Sequence, residues 1–416
     1  MAESISIESI RFVKELYPRL REDDAAIERY RAGLGNLPPI VVARGGVLVD
    51  GFHRWQAHRR EKAETIQAED LGDLTDAEIV REAITRNATH GQQLSAADKK
   101  RLAGDLWLKL GETSSGSRVD EIAQLLSVSP RSVQDWTKDA RATEKAQQQA
   151  KAWDLWLDCH DLREIAAGVL GDAEKKSTVD GWVSEKRNSA EFGQAPASRQ
   201  HFDVWEFWKA DETDTPTWFG KMPPQVVENL LWLYTEPGQI VFDPFAGSGT
   251  TIEVAKAMGR RVWASDLTPS TPTLPIHGHD IAAGWPKEAP KKADFILLDP
   301  PYWKQAAGKY SGDASDMGNM DLDAFMHSWK KIVFFCKTHL AEKGYLAFII
   351  SPSVDGERVV DHAFDLYAAC QQAKLKPHRR IIVTYQTQQA TGQQVEWARR
   401  EKQLLKRYRD LVIMRP

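Results

Sequence analysis

Two short stretches combine residue types and spacings that could do chemistry. Phe295 to Gln305 reads FILLDPPYWKQ: four apolar residues run into Asp299, a rigid Pro300–Pro301 pair and the aromatics Tyr302 and Trp303. Pro301 has no N–H and a restricted φ, so the backbone here is fixed and the Pro300 carbonyl is left available. A carboxylate and a fixed carbonyl in line are two acceptors, which matches an exocyclic amino group with two hydrogens to donate. Tyr302 offers a flat face on which an extruded base can stack. Held this way, an amine can turn its lone pair to an electrophilic methyl, and no covalent enzyme intermediate is needed. The candidate catalytic residues are Asp299, Pro300, Pro301 and Tyr302.

The second stretch is GQIVFDPFAGSGTTIEVAKAMGRRVWASD, Gly238 to Asp266. A short apolar strand ends at Asp243; Phe245, Ala246, Gly247, Ser248 and Gly249 make a small-residue loop; Thr250 and Thr251 open a helix, and Gly259 stops it. A further strand then ends in Asp266. This predicts a βαβ half of a doubly wound sheet, with glycines that let a ligand reach the backbone and unpaired N–H groups at the helix start. A phosphate-binding Walker loop would need a Lys after Gly249, and a dinucleotide fingerprint would need GxGxxG; neither is present. Asp243 would repel a pyrophosphate but suits a cationic amino group. A ligand with an amino group, a carboxylate, a ribose and an adenine therefore fits best, which implies S-adenosylmethionine. Asp243 would face its amino group, Thr250 and Thr251 its carboxylate, Asp266 its ribose hydroxyls, and Asp280, past the third strand, its adenine. Asp243 and Asp299 are 56 residues apart, a gap that suits two further βα units and puts FILLD on the fourth strand, beside the same crevice.

Taken together, DPFAGSGTT and DPPYW resemble the S-adenosylmethionine-dependent amino-methyltransferases that act on adenine N6 or cytosine N4 in DNA. The resemblance covers about residues 200 to 416 and implies a Rossmann-like α/β domain. It extends to KMPPQVVENLLWLYTEPG, which looks like the helix this family places before the Gly-rich strand, and so implies that Lys221 and Pro223 line the methionine end of the cofactor site. Asp at the first position of DPPY is commoner in the adenine enzymes, so adenine N6 is the expected target and cytosine N4 the alternative. Trp303 to Met320 is too short for a full target-recognition insert and reads as a mobile lid.

The elements upstream must then bring a substrate to this site. Asp120 to Arg141 and Arg163 to Arg187 share an order: Glu-Ile-Ala, a turn, a Val, then Trp three residues later. That order resembles a helix-turn-helix, with Ile122, Ala123, Leu126, Val133 and Trp136 as the core of the first copy and Ile165, Ala166, Val179 and Trp182 of the second. Ser129 before Pro130 predicts a cap for the recognition helix. Arg131, Ser132, Gln134, Asp135 and Lys138 would be exposed on it, and DNA contact is expected at Arg131, Ser132, Gln134 and Lys138. A helical hairpin packed only for stability is the alternative.

Near the N-terminus, two strands around Gly45-Gly46 lead to Gly51 and a helix with His53 and Arg54 in its first turn, a pattern suited to an anion. Asp50-Gly51-Phe52-His53-Arg54 and Asn87-Ala88-Thr89-His90-Gly91 resemble the two boxes of the ParB/sulfiredoxin superfamily. This resemblance covers roughly the first 150 residues and implies phosphate or nucleotide recognition by Gly51, His53, Arg54 and His90. The expected domains are a ParB-like α+β domain over 1–95, a helical region over 96–187, a linker over 188–200 and the methyltransferase domain over 201–416.

Composition limits the remaining readings. With 27% charged residues and a net charge of −4, the chain is no polycation, so any DNA binding must come from local patches. One such patch is Lys374 to Pro416, with eleven Lys/Arg against three Asp/Glu. Three cysteines without a CxxC pair point to a reducing compartment and away from a zinc site. No basic, apolar leader opens the chain and no run approaches a membrane span, so the expected setting is cytoplasmic. DNA is the expected partner, with a homodimer as a further option and no membrane and no metal. The rival reading is a ParB-like DNA-binding regulator with an inert methyltransferase half.

Overall fold

The computed structural model describes residues 2–18, 23–90, 94–109, 117–207, 222–269, 271–303, 315–355, 358–384, 391–402, 404–405 and 407–416. The chain forms two compact units, Met1–Gln147 and Gln148–Pro416. Among the described residues no helix is long and apolar enough to cross a membrane.

In the first unit, strands β1 (Ala2–Ser6), β2 (Ile40–Ala43), β3 (Val47–Asp50) and β4 (Thr65–Asp70) form a sheet in the order β1-β4-β2-β3. The helices are α1 (Asp24–Arg31), α2 (Phe52–Arg60), α3 (Asp76–His90), α4 (Ala96–Lys109), α5 (Arg118–Leu126) and α6 (Pro130–Trp136), and α7 (Lys138–Leu157) runs across the division between the units. The first helix-turn-helix forms as expected. Ile122, Ala123, Leu126 and Val133 are buried and Trp136 packs beside them. The Ser129 hydroxyl accepts the Ser132 N–H at 3.1 Å, with Pro130 in the first turn.

The second unit opens with α8 (Leu162–Leu170) and α9 (Lys176–Arg187), followed by β5 (Val204–Trp205), α10 (Pro224–Tyr234), β6 (Ile240–Asp243), α11 (Thr250–Ala257), β7 (Arg261–Asp266), β8 (Ile276–Gly278) and β9 (Ala293–Leu298). Then come α12 (Leu322–His339), β10 (Leu340–Ile350), β11 (Ser353–Asp355), β12 (Arg358–Val360), α13 (His362–Gln372), β13 (Lys376–Thr384), α14 (Gly392–Arg400) and β14 (Tyr408–Arg415). Eight strands form one sheet in the order β5-β13-β14-β10-β9-β6-β7-β8, with β14 antiparallel to both neighbours. The fold of this unit is Rossmann-like α/β, as expected. The apolar strands are buried on both faces, as the parallel part of a sheet must be. Phe242, Ile296 and Phe348 enter one core layer, and Val241, Phe295, Leu297 and Ala347 enter the other. FILL is the fourth strand counted from β6, but the two further βα units are not formed: among the described residues β7 and β8 are followed by no α-helix, only a 3-10 turn at Ile281–Ala283 before β9. It pairs directly with β6: Phe242 stands opposite Ile296.

The second helical pair is built into this unit. Ile165, Ala166, Val179 and Val183 bury against Trp156 of α7. Lys256 of α11 bridges Asp154 and Asp158 at 3.0 and 2.8 Å. The expected linker 188–200 carries a packed turn: Phe192 is buried and stacks on Trp153 at 5.5 Å. A side chain at Gly259 would lie 2.6 Å from the Phe192 ring. The expected helical region 96–187 is thus divided between the two compact units.

Candidate active site

In a doubly wound sheet, ligands bind where the strand order reverses, at the carboxyl ends of the strands. Here that point lies between β6 and β9: β7 and β8 continue to one side, β10 and β14 to the other. Asp243 ends β6 and Asp299 follows β9, so neighbouring strands deliver both carboxylates to one edge. A crevice opens there, lined by the 243–251 loop, Asp266, Asp280 and Asp299 to Tyr302.

The loop after β6 is held by its own backbone and by one carboxylate. The Ala246 N–H donates to Ser265 O at 3.0 Å and the Gly249 N–H to Ala246 O at 2.7 Å. Asp266 accepts the Gly247 N–H at 2.9 Å on one oxygen and the Thr268 N–H at 3.0 Å on the other. Each of those oxygens keeps a lone pair for a hydroxyl. Gly249 has φ +87°, and a Cβ there would sit 2.2 Å from Leu274 Cδ1, so the loop requires glycine. The Asp280 side chain accepts the Ala282 N–H at 2.9 Å, which leaves its second oxygen for a ligand.

Burial raises the Asp243 carboxyl from its ordinary 3.8 to about 7; hydrogen bonds from the Thr251 hydroxyl and the Phe245 N–H oppose this, while the Asp299 and Asp266 charges add to it. Asp299, half-buried at the crevice wall, is likewise pushed up by burial, to about 6; the Arg409 charge and a hydrogen bond from Tyr302 pull it the other way. Among the described residues, five aspartates line the crevice (243, 266, 280, 299 and 316), against one arginine, Arg409. Such a cleft favours a ligand that brings positive charge.

The residues fit S-adenosylmethionine, which carries a sulfonium and an ammonium. Thr250 Oγ1 is buried and has no hydrogen-bond partner among the described residues. It lies at the start of α11, where the first N–H groups have no intrahelical acceptor. A carboxylate meets both needs there.

Of the sequence-predicted residues, Asp243, Phe245, Ala246, Gly247, Ser248, Thr250, Thr251, Asp266, Asp280, Asp299, Pro300, Pro301 and Tyr302 come together in this one crevice. Gly249 shapes the loop from behind. Lys221 lies outside the described residues, as do residues 304–314 of the expected lid. Trp303 is buried and its Nε1 donates to Met320 O at 2.9 Å. Sequence reasoning missed Asp316 and His279 of the lining, and it missed Arg409. It is buried, comes from the last strand and lies 5.9 Å from the centre of the Tyr302 ring. Its position in the basic C-terminal stretch was the only signal.

In the first unit, Gly51 has φ +97° and a Cβ there would meet Ile40 at 2.7 Å. Arg54 turns back to Asp50 at 2.8 Å, and His53 Nε2 accepts the Asp23 N–H at 3.1 Å. The protein itself engages both side chains of the expected anion site. The side chain of His90 lies outside the described residues. On α6, Arg131 and Gln134 are exposed, while Ser132 is half-buried in the cap. Lys138 corrects the expectation: it opens α7, because Thr137 ends α6 and turns its hydroxyl back to Val133 O at 2.8 Å.

Part of the chain is similar to known proteins. Residues 117–271 match the N6/N4 DNA methylase family model, a span that includes the Gly-rich loop and Asp266 and ends before Asp299. The type II methyltransferase M.BglII of Bacillus subtilis is 34% identical over 77 residues, 17% of this chain and 21% of that one. M2.DpnII of Streptococcus pneumoniae is 39% identical over 67 residues, 15% of this chain and 24% of that one. The chain thus spans a fifth to a quarter of the length of these curated relatives. A solved structure of the partitioning protein ParB from Caulobacter crescentus with CTP-γ-S is similar over 33% of this chain and 77% of that one, at 20% identity and a TM-score of 0.20, too distant to bear on function. Over residues 117–271 the chain is similar to the N6/N4 DNA methylases, and the crevice fits S-adenosylmethionine as a cofactor.

Proposed function

We propose that this protein transfers a methyl group from S-adenosylmethionine to the exocyclic amino group of a base flipped out of DNA, with adenine N6 as the target. The observation that supports it is the pairing of β6 with β9, which sets Asp299-Pro300-Pro301-Tyr302 beside the Gly-rich cofactor loop. When bound, S-adenosylmethionine supplies an electrophilic methyl on a sulfonium. Asp243 would hold the ammonium, the start of α11 the carboxylate, and Asp266 the ribose. Asp299, ionised above about pH 6, accepts one amino hydrogen and the Pro300 carbonyl accepts the other. Tyr302 carries the base on its ring. With both hydrogens held, the nitrogen lone pair would be free to take the methyl that S-adenosylmethionine would supply, the S–C bond breaking as the C–N bond forms, and Asp299 would stand where the nitrogen's proton is lost. Arg131 and Gln134 on α6 would contact DNA from the first unit.

The test is methyl transfer from tritiated S-adenosylmethionine to unmethylated duplex DNA, followed by nucleoside analysis. Label in N6-methyladenine is the expected result. Label in N4-methylcytosine would keep the reaction and change the base. No label, with measurable cofactor binding, would overturn the reading in favour of a DNA-binding regulator.

A further inference from the structure

The chain leaves the sheet after β13 at Thr384 and returns at Tyr408, which stands opposite it. Ile350, at the end of β10, stands opposite Asp410. The excursion between β13 and β14 therefore lies on the same sheet edge as the ends of β6 and β9. Its return leads straight into Arg409 of the crevice wall.

Within the excursion, α14 is well started: Thr391 and Gln394 cap each other's backbone. It is poorly held. Ala398 is its only buried residue, while Val395 and Trp397 are 50% and 43% exposed, and Leu404 beyond the helix is 95% exposed. A nine-residue helix is marginal in water and normally owes its stability to packing on one face. Among the described residues, almost nothing covers this one. Its charge says what could. From Thr391 to Arg407 the chain carries five Lys/Arg and two Asp/Glu, and Arg399 and Lys402 are exposed. The crevice on the same sheet edge is rich in carboxylates, which repel a polyanion. A DNA strand brought to Asp299 needs cations at the rim to hold its backbone.

We infer that the β13–β14 excursion is a DNA-docking arm of the catalytic unit, with Arg399 and Lys402 against phosphates and Trp397 and Leu404 against the sugar and base surface beside the crevice. This rests on the DNA methyltransferase reading and adds the surface that presents the strand to the site. It also answers the shortness of the stretch after Tyr302, which leaves no room for a full recognition insert.

The experiment uses the full chain and three readouts: anisotropy of a labelled duplex over a salt series, S-adenosylmethionine affinity by calorimetry, and steady-state methylation of DNA. The double variant Arg399→Glu/Lys402→Glu is expected to weaken duplex binding about tenfold near 0.1 M salt and to reduce the salt slope by about two. It should raise KM for DNA and leave kcat and cofactor affinity near wild type. Trp397→Ala should weaken binding about fivefold by lost stacking and leave the salt slope alone. If wild type methylates DNA and both variants keep its DNA affinity and KM within about twofold, the arm inference falls alone. If wild type transfers no methyl to DNA, the reading beneath it falls as well. If Trp397→Ala turns a concentration-dependent dimer into a monomer in sedimentation while DNA affinity holds, a second copy of the chain covers the arm and the inference is overturned.

Discussion

Gly51 and Gly249 complete the same local device in two parts of the chain. Each follows an apolar strand that ends in Asp, adopts a left-handed φ, and opens a helix, α2 or α11. By sequence, both are anion sites. In the second unit the device faces a crevice, and Thr250 Oγ1 at the helix start is buried without a partner among the described residues. In the first unit the protein fills the corresponding space: Arg54 bonds Asp50 and the Pro39 carbonyl, and His53 takes the Asp23 N–H. A glycine-opened helix becomes a ligand site only where the surrounding fold leaves its polar groups to be satisfied from outside.

The substitutions that matter most should separate the two devices. Gly249→Val forces a branched side chain into a left-handed φ against Leu274 and should abolish cofactor binding by calorimetry. Gly51→Ala should cost about 1–3 kcal/mol of first-unit stability in denaturant melts and leave cofactor affinity unchanged. Loss of cofactor binding in Gly51→Ala would break the comparison.

Asp299→Asn comes next. It keeps the shape but donates where it should accept, and should lower kcat by about 10² or more with cofactor affinity intact. Full activity in that variant would end the two-acceptor account of the site.

The pH dependence is a subtler test. Burial holds both Asp243 and Asp299 above the ordinary carboxylate range, so the folded chain resists their ionisation. The stabilising contribution of their neutral forms is present at pH below about 4 and is lost as pH rises to about 7 through the folded values. S-adenosylmethionine, by pairing with the Asp243 anion, should bind more tightly as pH rises through about 7, and Asp243→Asn should flatten that rise. Turnover should climb through about pH 6 as Asp299 ionises. Arg409→Met removes the charge that favours this anion and should move the acid limb of kcat upward, whereas Arg409→Lys should leave it near wild type.

The smallest effect is expected at Arg54→Met. A partly exposed ion pair to Asp50 is worth about 1 kcal/mol at most. The melt should shift slightly and methyl transfer should not change. A large loss of activity there would mean that the first device also serves a ligand.

Much of the catalytic unit was legible because its signals are local. The strand ending at Asp243, the Gly247–Gly249 loop, the helix from Thr250 and the strand ending at Asp266 all follow from apolar runs and glycines within thirty residues. The Ser129 cap was legible for the same reason. Other features were hidden. The two Glu-Ile-Ala repeats look alike in sequence, yet the second is locked to the catalytic sheet through Trp156, Lys256 and Phe192. Nothing inside the repeat announces those partners, which lie far away in the chain or depend on a neighbouring glycine for close approach.

The sequence by itself determined which chemistry is available: a carboxylate and a rigid carbonyl beside aromatics, and a glycine loop suited to a cationic, carboxylated nucleoside. It did so because motif geometry rests on φ restrictions and hydrogen-bonding capacity that belong to the residues themselves. Only the tertiary structure decided that β6 and β9 lie side by side, that Arg409 from the last strand joins Asp299, and that the Gly51 device is closed while the Gly249 device is open. Those outcomes depend on the register and order of a whole sheet, where contacts between residues more than a hundred positions apart are chosen by the packing of both faces together.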